Sequence, residues 1–168
     1  MKTVLALLVA FASLYLPPVH ASEAPLCFEK AWDHPDDGGL GLTRGGAMDL
    51  CRGAQNAAAV TQCYTTAWEH PSYGGLGLNR GSAIDLCSGA SEPKQATQCF
   101  EAAWNHPEDG GLGLTRGGAI DLCKGAVNAA EVTKCFVHAW GHPSNGGLGM
   151  TRGGAIELCS SGYSQARW

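Results

Sequence analysis

The eight cysteines of this chain fall at positions 27, 51, 63, 87, 99, 123, 135 and 159, so the gaps between them alternate strictly between 24 and 12. No arrangement constrains the fold more. A period of 36 residues is imposed four times, and the surrounding sequence obeys it. Tryptophan recurs at Trp32, Trp68, Trp104 and Trp140, and a His-Pro pair follows at His34, His70, His106 and His142. Two variable residues later comes Gly-Gly-Leu-Gly, then an arginine at Arg44, Arg80, Arg116 and Arg152, then an acid at Asp49, Asp85, Asp121 and Glu157. A fixed period of this length is the signature of a repeat array. Counted from cysteine to cysteine, the units are 22–62, 63–98, 99–134 and 135–168, forming one repeat domain. Repeats one and three share an acidic loop (Asp36-Asp37, Glu108-Asp109) and an Asn-Ala-Ala link at Asn56 and Asn128. Repeats two and four share Ser72 and Ser144 in the loop, and Ser88 and Ser160 after the second cysteine. This pattern points to a pair of repeats duplicated as a pair.

Each unit reads as two helices. Val60, Cys63, Tyr64, Ala67 and Trp68 sit at i, i+3, i+4, i+7 and i+8, one face of a helix, and the same face returns as Val132, Cys135, Phe136, Ala139 and Trp140. Pro71 ends the first helix, because the residue before a proline avoids helical angles. The glycine-rich stretch is the turn. Thr43, Asn79, Thr115 and Thr151 are suitable N-caps for a second helix, whose apolar face is Ala83, Ile84, Leu86 and Cys87. Gly89 is a suitable stop, and Leu78 is placed to staple back onto the second helix. Ser91 and Pro93 are expected to open the first helix of repeat three. The expected fold is all-α, an array of four 36-residue disulfide-bonded helical hairpins.

The chain opens with Lys2, an apolar run from Val4 to Leu16, Pro17-Pro18 and then Ala21. That order reads as a signal peptide, residues 1–21, cut after Ala21. The run is too short to span a bilayer comfortably, and no later segment is a candidate membrane span. With the leader removed, 10 basic residues face 15 acidic ones, a formal charge of −5. No basic patch stands out, which argues against a nucleic-acid partner. Export and eight cysteines together imply an oxidising compartment, secreted or periplasmic, and structural disulfides.

Two symmetric pairings are possible. Within repeats, the bridges are Cys27–Cys51, Cys63–Cys87, Cys99–Cys123 and Cys135–Cys159. Across the links, they are Cys51–Cys63, Cys87–Cys99 and Cys123–Cys135, which strands Cys27 and Cys159 at opposite ends. The first scheme is preferred, since it uses every cysteine and suits an antiparallel helix pair. Zinc is a weaker reading, because structural zinc sites use cysteines two to four residues apart and none are so spaced.

The period, the two short helices per period and the export signal resemble Sel1-like repeats, a branch of the tetratricopeptide-like solenoids, over residues 27 to 162. Cysteine-rich secreted members of that group carry one disulfide per repeat, and such proteins act as interaction scaffolds. The motifs depart from it. Here the cysteines are 24 apart, where that group places its pair much closer. Trp-x-His-Pro and Gly-Gly-Leu-Gly-Leu are not its signature either. The resemblance therefore implies an architecture and a scaffold role, and no functional residues.

Candidate chemistry lies in three recurring features. The histidines are expected to cap the end of the first helix; the competing readings are ligand contact and metal, the latter weakened because Ser72 and Tyr73 replace Asp36 and Asp37. The tryptophans are expected in the core, whereas an exposed row would suit sugar stacking. Trp168 is expected to cover the last repeat. The arginines lie in the first turn of a helix, where a cation is unfavourable, so each needs a partner. The expected partner is Asp49 or its equivalent, in the same or the adjacent repeat, with an anionic ligand as the alternative. No catalytic motif is present, and every notable residue occurs four times while an active site is usually built once. The expected role is non-enzymatic binding of a protein or surface partner in the envelope or outside the cell. Alternatives are a multivalent glycan-binding protein with one site per repeat, and a small-anion or metal binder. No cofactor is expected.

Overall fold

A computed structural model of the protein describes residues 22–160; the expected signal peptide, and the Trp168 expected to cover the last repeat, lie outside them. The described residues form eight α-helices and no strand: α1 (Ala24–Trp32), α2 (Arg44–Cys51), α3 (Ala57–Trp68), α4 (Arg80–Cys87), α5 (Gln95–Trp104), α6 (Arg116–Cys123), α7 (Ala129–Trp140) and α8 (Arg152–Cys159). Consecutive pairs make four hairpins. Each hairpin loop holds one short 3-10 turn, at Pro35–Asp37, Pro71–Tyr73, Pro107–Asp109 and Pro143–Asn145. Links 52–56, 88–94 and 124–128 join the hairpins.

Local sequence explains the helix boundaries. Thr43, Asn79, Thr115 and Thr151 each accept a hydrogen bond from the backbone N–H three residues on, satisfying one of the donors a helix start leaves free. Asn56 and Asn128 cap α3 and α7 in the same way. Gly89 follows the end of α4 with φ +76°, a left-handed position that glycine occupies without penalty. Pro25 sits in the first turn of α1. Pro93 does not do so in repeat three: α5 begins at Gln95, and the proline lies in the turn before it.

The bridges close within repeats, Cys27–Cys51, Cys63–Cys87, Cys99–Cys123 and Cys135–Cys159, with Cα separations of 5.5 to 5.7 Å. No free cysteine remains among the described residues. The bridges sit inside one continuous core with Tyr64, Phe100, Phe136, Leu50, Leu86 and Leu122. The first helix of each hairpin packs on the first helix of the next, and the second helices do likewise. The result is an open array in which each hairpin meets its sequence neighbours. Four intramolecular disulfides fit an oxidising environment, extracellular or periplasmic. No helix among the described residues is long and apolar enough to cross a membrane.

The repeats associate as two pairs. A Glu23 carboxylate oxygen accepts from the Ala57 N–H at 2.7 Å, joining repeats one and two. The Gln95 side-chain oxygen accepts from the Ala129 N–H at 2.8 Å, joining repeats three and four. At the middle junction the corresponding residue is Ala59, which has no oxygen to offer. Accordingly, α1 packs on α3, and α5 on α7, more extensively than α3 packs on α5.

Candidate functional site

The constant glycine-leucine segment is a cap for the first helix. In repeat two, the Leu76, Gly77 and Leu78 N–H groups donate to the carbonyls of Thr66, Glu69 and Ala67 at 2.9, 2.8 and 2.9 Å. These carbonyls end α3 and have no partner inside the helix. The returning chain must come very close to supply them. A Cβ on Gly75 would fall 2.1 Å from the Glu69 carbonyl oxygen, and the same holds at Gly39, Gly111 and Gly147. Backbone packing thus accounts for the most constant motif of the chain.

The histidines cap the other way from expectation. His70 lies at φ −66° and ψ 143°, and its Nδ1 accepts the Ser72 N–H at 3.2 Å. It starts the following 3-10 turn instead of closing the first helix, which already ends at Trp68. The reason is the proline after it, which pushes the residue into the extended region that an N-cap requires. His34, His106 and His142 repeat this geometry. An Nδ1 that accepts leaves the proton of a neutral ring on Nε2. Among the described residues, no three His, Cys, Asp or Glu side chains converge on one point. Replacing His106 by alanine is expected to cost about 1 kcal/mol, the usual worth of such a cap, while His106→Asn keeps it. Urea midpoints of the two variants check this.

The tryptophans are not in the core. Trp32, Trp68, Trp104 and Trp140 are 54%, 47%, 44% and 46% exposed, while Tyr64, Phe100 and Phe136, four residues earlier, are buried. Tryptophan is the last residue of every first helix, so its helical face extends past the point where the neighbouring repeat closes over it. Each indole leans on the aromatic ring one turn back, with centroids 5.9 to 6.4 Å apart.

Nor do the arginines pair with acids. The Arg80, Arg116 and Arg152 guanidinium carbons lie 5.4, 5.2 and 5.1 Å from the ring centroids of Trp68, Trp104 and Trp140, a cation–π geometry. Arg80 also donates to the Gly41 carbonyl of the preceding repeat at 3.3 Å, and Arg152 to that of Gly113 at 3.5 Å. The acid of the same repeat lies five residues on along the same helix, which turns it to another face, and no acid of an adjacent repeat pairs with Arg80, Arg116 or Arg152 among the described residues. Asp49 instead pairs with Arg52, three residues away and on its own face, at 3.0 Å. Arg44, in the first repeat, makes neither contact among the described residues.

One more feature lies between the first two repeats. A groove of about 650 Å³ runs between the loop of repeat one and α3, lined in part by Lys30, Thr61, Thr65, Tyr64, Trp68 and Arg80. Tyr64 is 1% exposed and its hydroxyl has no hydrogen-bond partner. Burial pushes its phenol above the ordinary value, and the Arg80 guanidinium pulls the other way. Periodicity assigns Tyr64 only a place on the apolar face of its helix and Lys30 no role. The available signal was their departure from the repeat: Phe28, Phe100 and Phe136 stand where repeat two has tyrosine, and Thr66, Ala102 and His138 where repeat one has lysine.

Compared with models of known families, with curated proteins and with solved structures, the chain matches none.

Proposed function

We propose that this chain is an exported, non-enzymatic recognition module that binds a protein partner in the envelope or outside the cell through its row of tryptophan–arginine pairs. One observation carries the reading: four large aromatics are left half-exposed in register, three of them with a guanidinium held against the ring. Large exposed apolar patches are a mark of interaction sites. Tryptophan and arginine are also the side chains that dominate binding energy at protein interfaces. Packed helices sit about 10 Å apart, so four hairpins spread the row over roughly 30 Å, the scale of an ordinary interface. The scaffold role implied by the Sel1-like resemblance is the same. Export by residues 1–21 would bring the chain to the oxidising compartment its bridges need.

A second reading, a multivalent glycan binder, draws on the same exposed indoles. Against it, the indoles of repeats two to four already carry an aromatic neighbour and an arginine, which leaves little open ring face for a sugar to stack on.

The test uses oxidised protein as bait in envelope extract and in conditioned medium. Trp68→Ala and Trp104→Ala are each expected to weaken capture of one specific protein about tenfold or more, with little change in melting temperature because the rings are half-exposed. Capture that survives replacement of all four tryptophans would remove the row as the binding face. Strong signal on a glycan array, abolished by a simple sugar, would favour the second reading.

A further inference from the structure

We propose that the groove between the first two repeats binds one small organic anion per chain: an apolar ring or chain bearing a single carboxylate. The site goes beyond the tryptophan row. It shares Trp68 and Arg80 with the row but depends on Lys30 and Tyr64, which lie outside it.

The walls of the groove are mainly apolar, and its lining has two cations and no carboxylate, in a chain whose overall charge is negative. Thr61 Oγ1 donates to the Ala57 carbonyl at 2.9 Å and Thr65 Oγ1 to the Thr61 carbonyl at 3.1 Å, so both hydroxyl protons are already used. The charged donors are the Lys30 ammonium and the remaining N–H groups of Arg80; the Tyr64 hydroxyl has no partner, and the Gln62 amide can both donate and accept. Lys30 Nζ hangs over the loop side of the groove, where a Cβ built on Gly38 would lie 3.5 Å from it. With two cations and no carboxylate on its lining, the groove favours a ligand group that is negative and only accepts, which is what an ionised carboxylate is.

The Tyr64 hydroxyl is the independent sign of a ligand. At the equivalent positions of repeats three and four, Phe100 and Phe136 are fully buried like Tyr64, so there the ring alone fills the space; Phe28 of repeat one is only partly buried. A buried hydroxyl without a partner is a net cost to the folded chain unless something supplies the missing hydrogen bond. The equivalent groove between repeats three and four would have Ala102 for Lys30 and Phe136 for Tyr64, so one site is expected instead of two or four.

The probe is 1-naphthoate, with the neutral 1-naphthalenemethanol as its match, titrated calorimetrically into the oxidised full-length chain. Naphthoate is expected to bind with a stoichiometry of one and about tenfold or more tighter than the alcohol, as a charge-assisted hydrogen bond implies. Tyr64→Phe restores the residue of the sister repeats. It should raise the melting temperature of the free protein while weakening naphthoate about tenfold. A purely structural tyrosine would move the first readout and not the second. Lys30→Ala should erase the preference for naphthoate over the alcohol. Absence of binding at millimolar naphthoate, more than one equivalent bound, or affinity unchanged in both variants would overturn the proposal. Partner capture through the tryptophan row should be intact in both variants, so failure of one claim shows separately from failure of the other.

Discussion

Reduction of all four bridges is expected to unfold the array. Each bridge spans 24 residues, and closing a loop of that size removes about 3 kcal/mol of unfolded-state freedom in the chain-entropy model. Four such contributions come to about 12 kcal/mol, comparable with the whole stability of a typical domain. Little else would hold the hairpins. The helices are 8 to 12 residues long, a length that is marginal in water without tertiary support. Helices α2, α6 and α8 each begin Arg-Gly-Gly, and each glycine costs about 1 kcal/mol in a helix. Circular dichroism followed during reduction, with thiols titrated in parallel, is the measurement. Loss of the helical signal as eight thiols appear is the expected outcome. An unchanged spectrum and melting curve with eight free thiols would mean that packing alone sustains the fold.

The second large effect separates two kinds of glycine in one motif. Gly75→Ala is expected to cost about 3 kcal/mol or more, because its Cβ would meet the Glu69 carbonyl, a backbone atom that cannot step aside without breaking the cap on α3. Gly153→Ala faces open space at the start of α8 and should leave stability unchanged or raise it by about 0.5–1 kcal/mol. Gly46 falls between them, since its Cβ would come within 3.2 Å of Ile84 Cδ1 on the next second helix, a flexible tip that can shift. Denaturant melts of the three variants should rank in that order. Equal losses at Gly75 and Gly153 would show that close approach is not what fills the motif with glycine.

Much of this protein was legible in its residues because the information was local. Helix starts follow from Thr43, Asn79, Thr115 and Thr151, whose side chains cap the backbone three residues on wherever they are placed. The hairpin follows from proline and glycine between two apolar periods. The cysteine spacing left two symmetric pairings, and the preferred one is the one the fold adopts. The division into repeat pairs, visible in Asn56, Asn128 and the loop residues, has its counterpart in the contacts of Glu23 and Gln95.

Sequence periodicity states which side of a helix is apolar, and here it determined the period, the helices, the caps and the all-α hairpin array. It carries no information about how far a neighbour reaches along that side. Whether Trp68 is covered depended on α3 ending where it does, one turn beyond the buried Tyr64. Whether Arg80 met an acid depended on what its helix faced, and that was the Trp68 indole of its own repeat and the Gly41 carbonyl of the preceding one. The groove at Lys30 and Tyr64 exists only where two repeats meet. Those outcomes are set by distances between segments well separated in sequence, which tertiary packing alone decides.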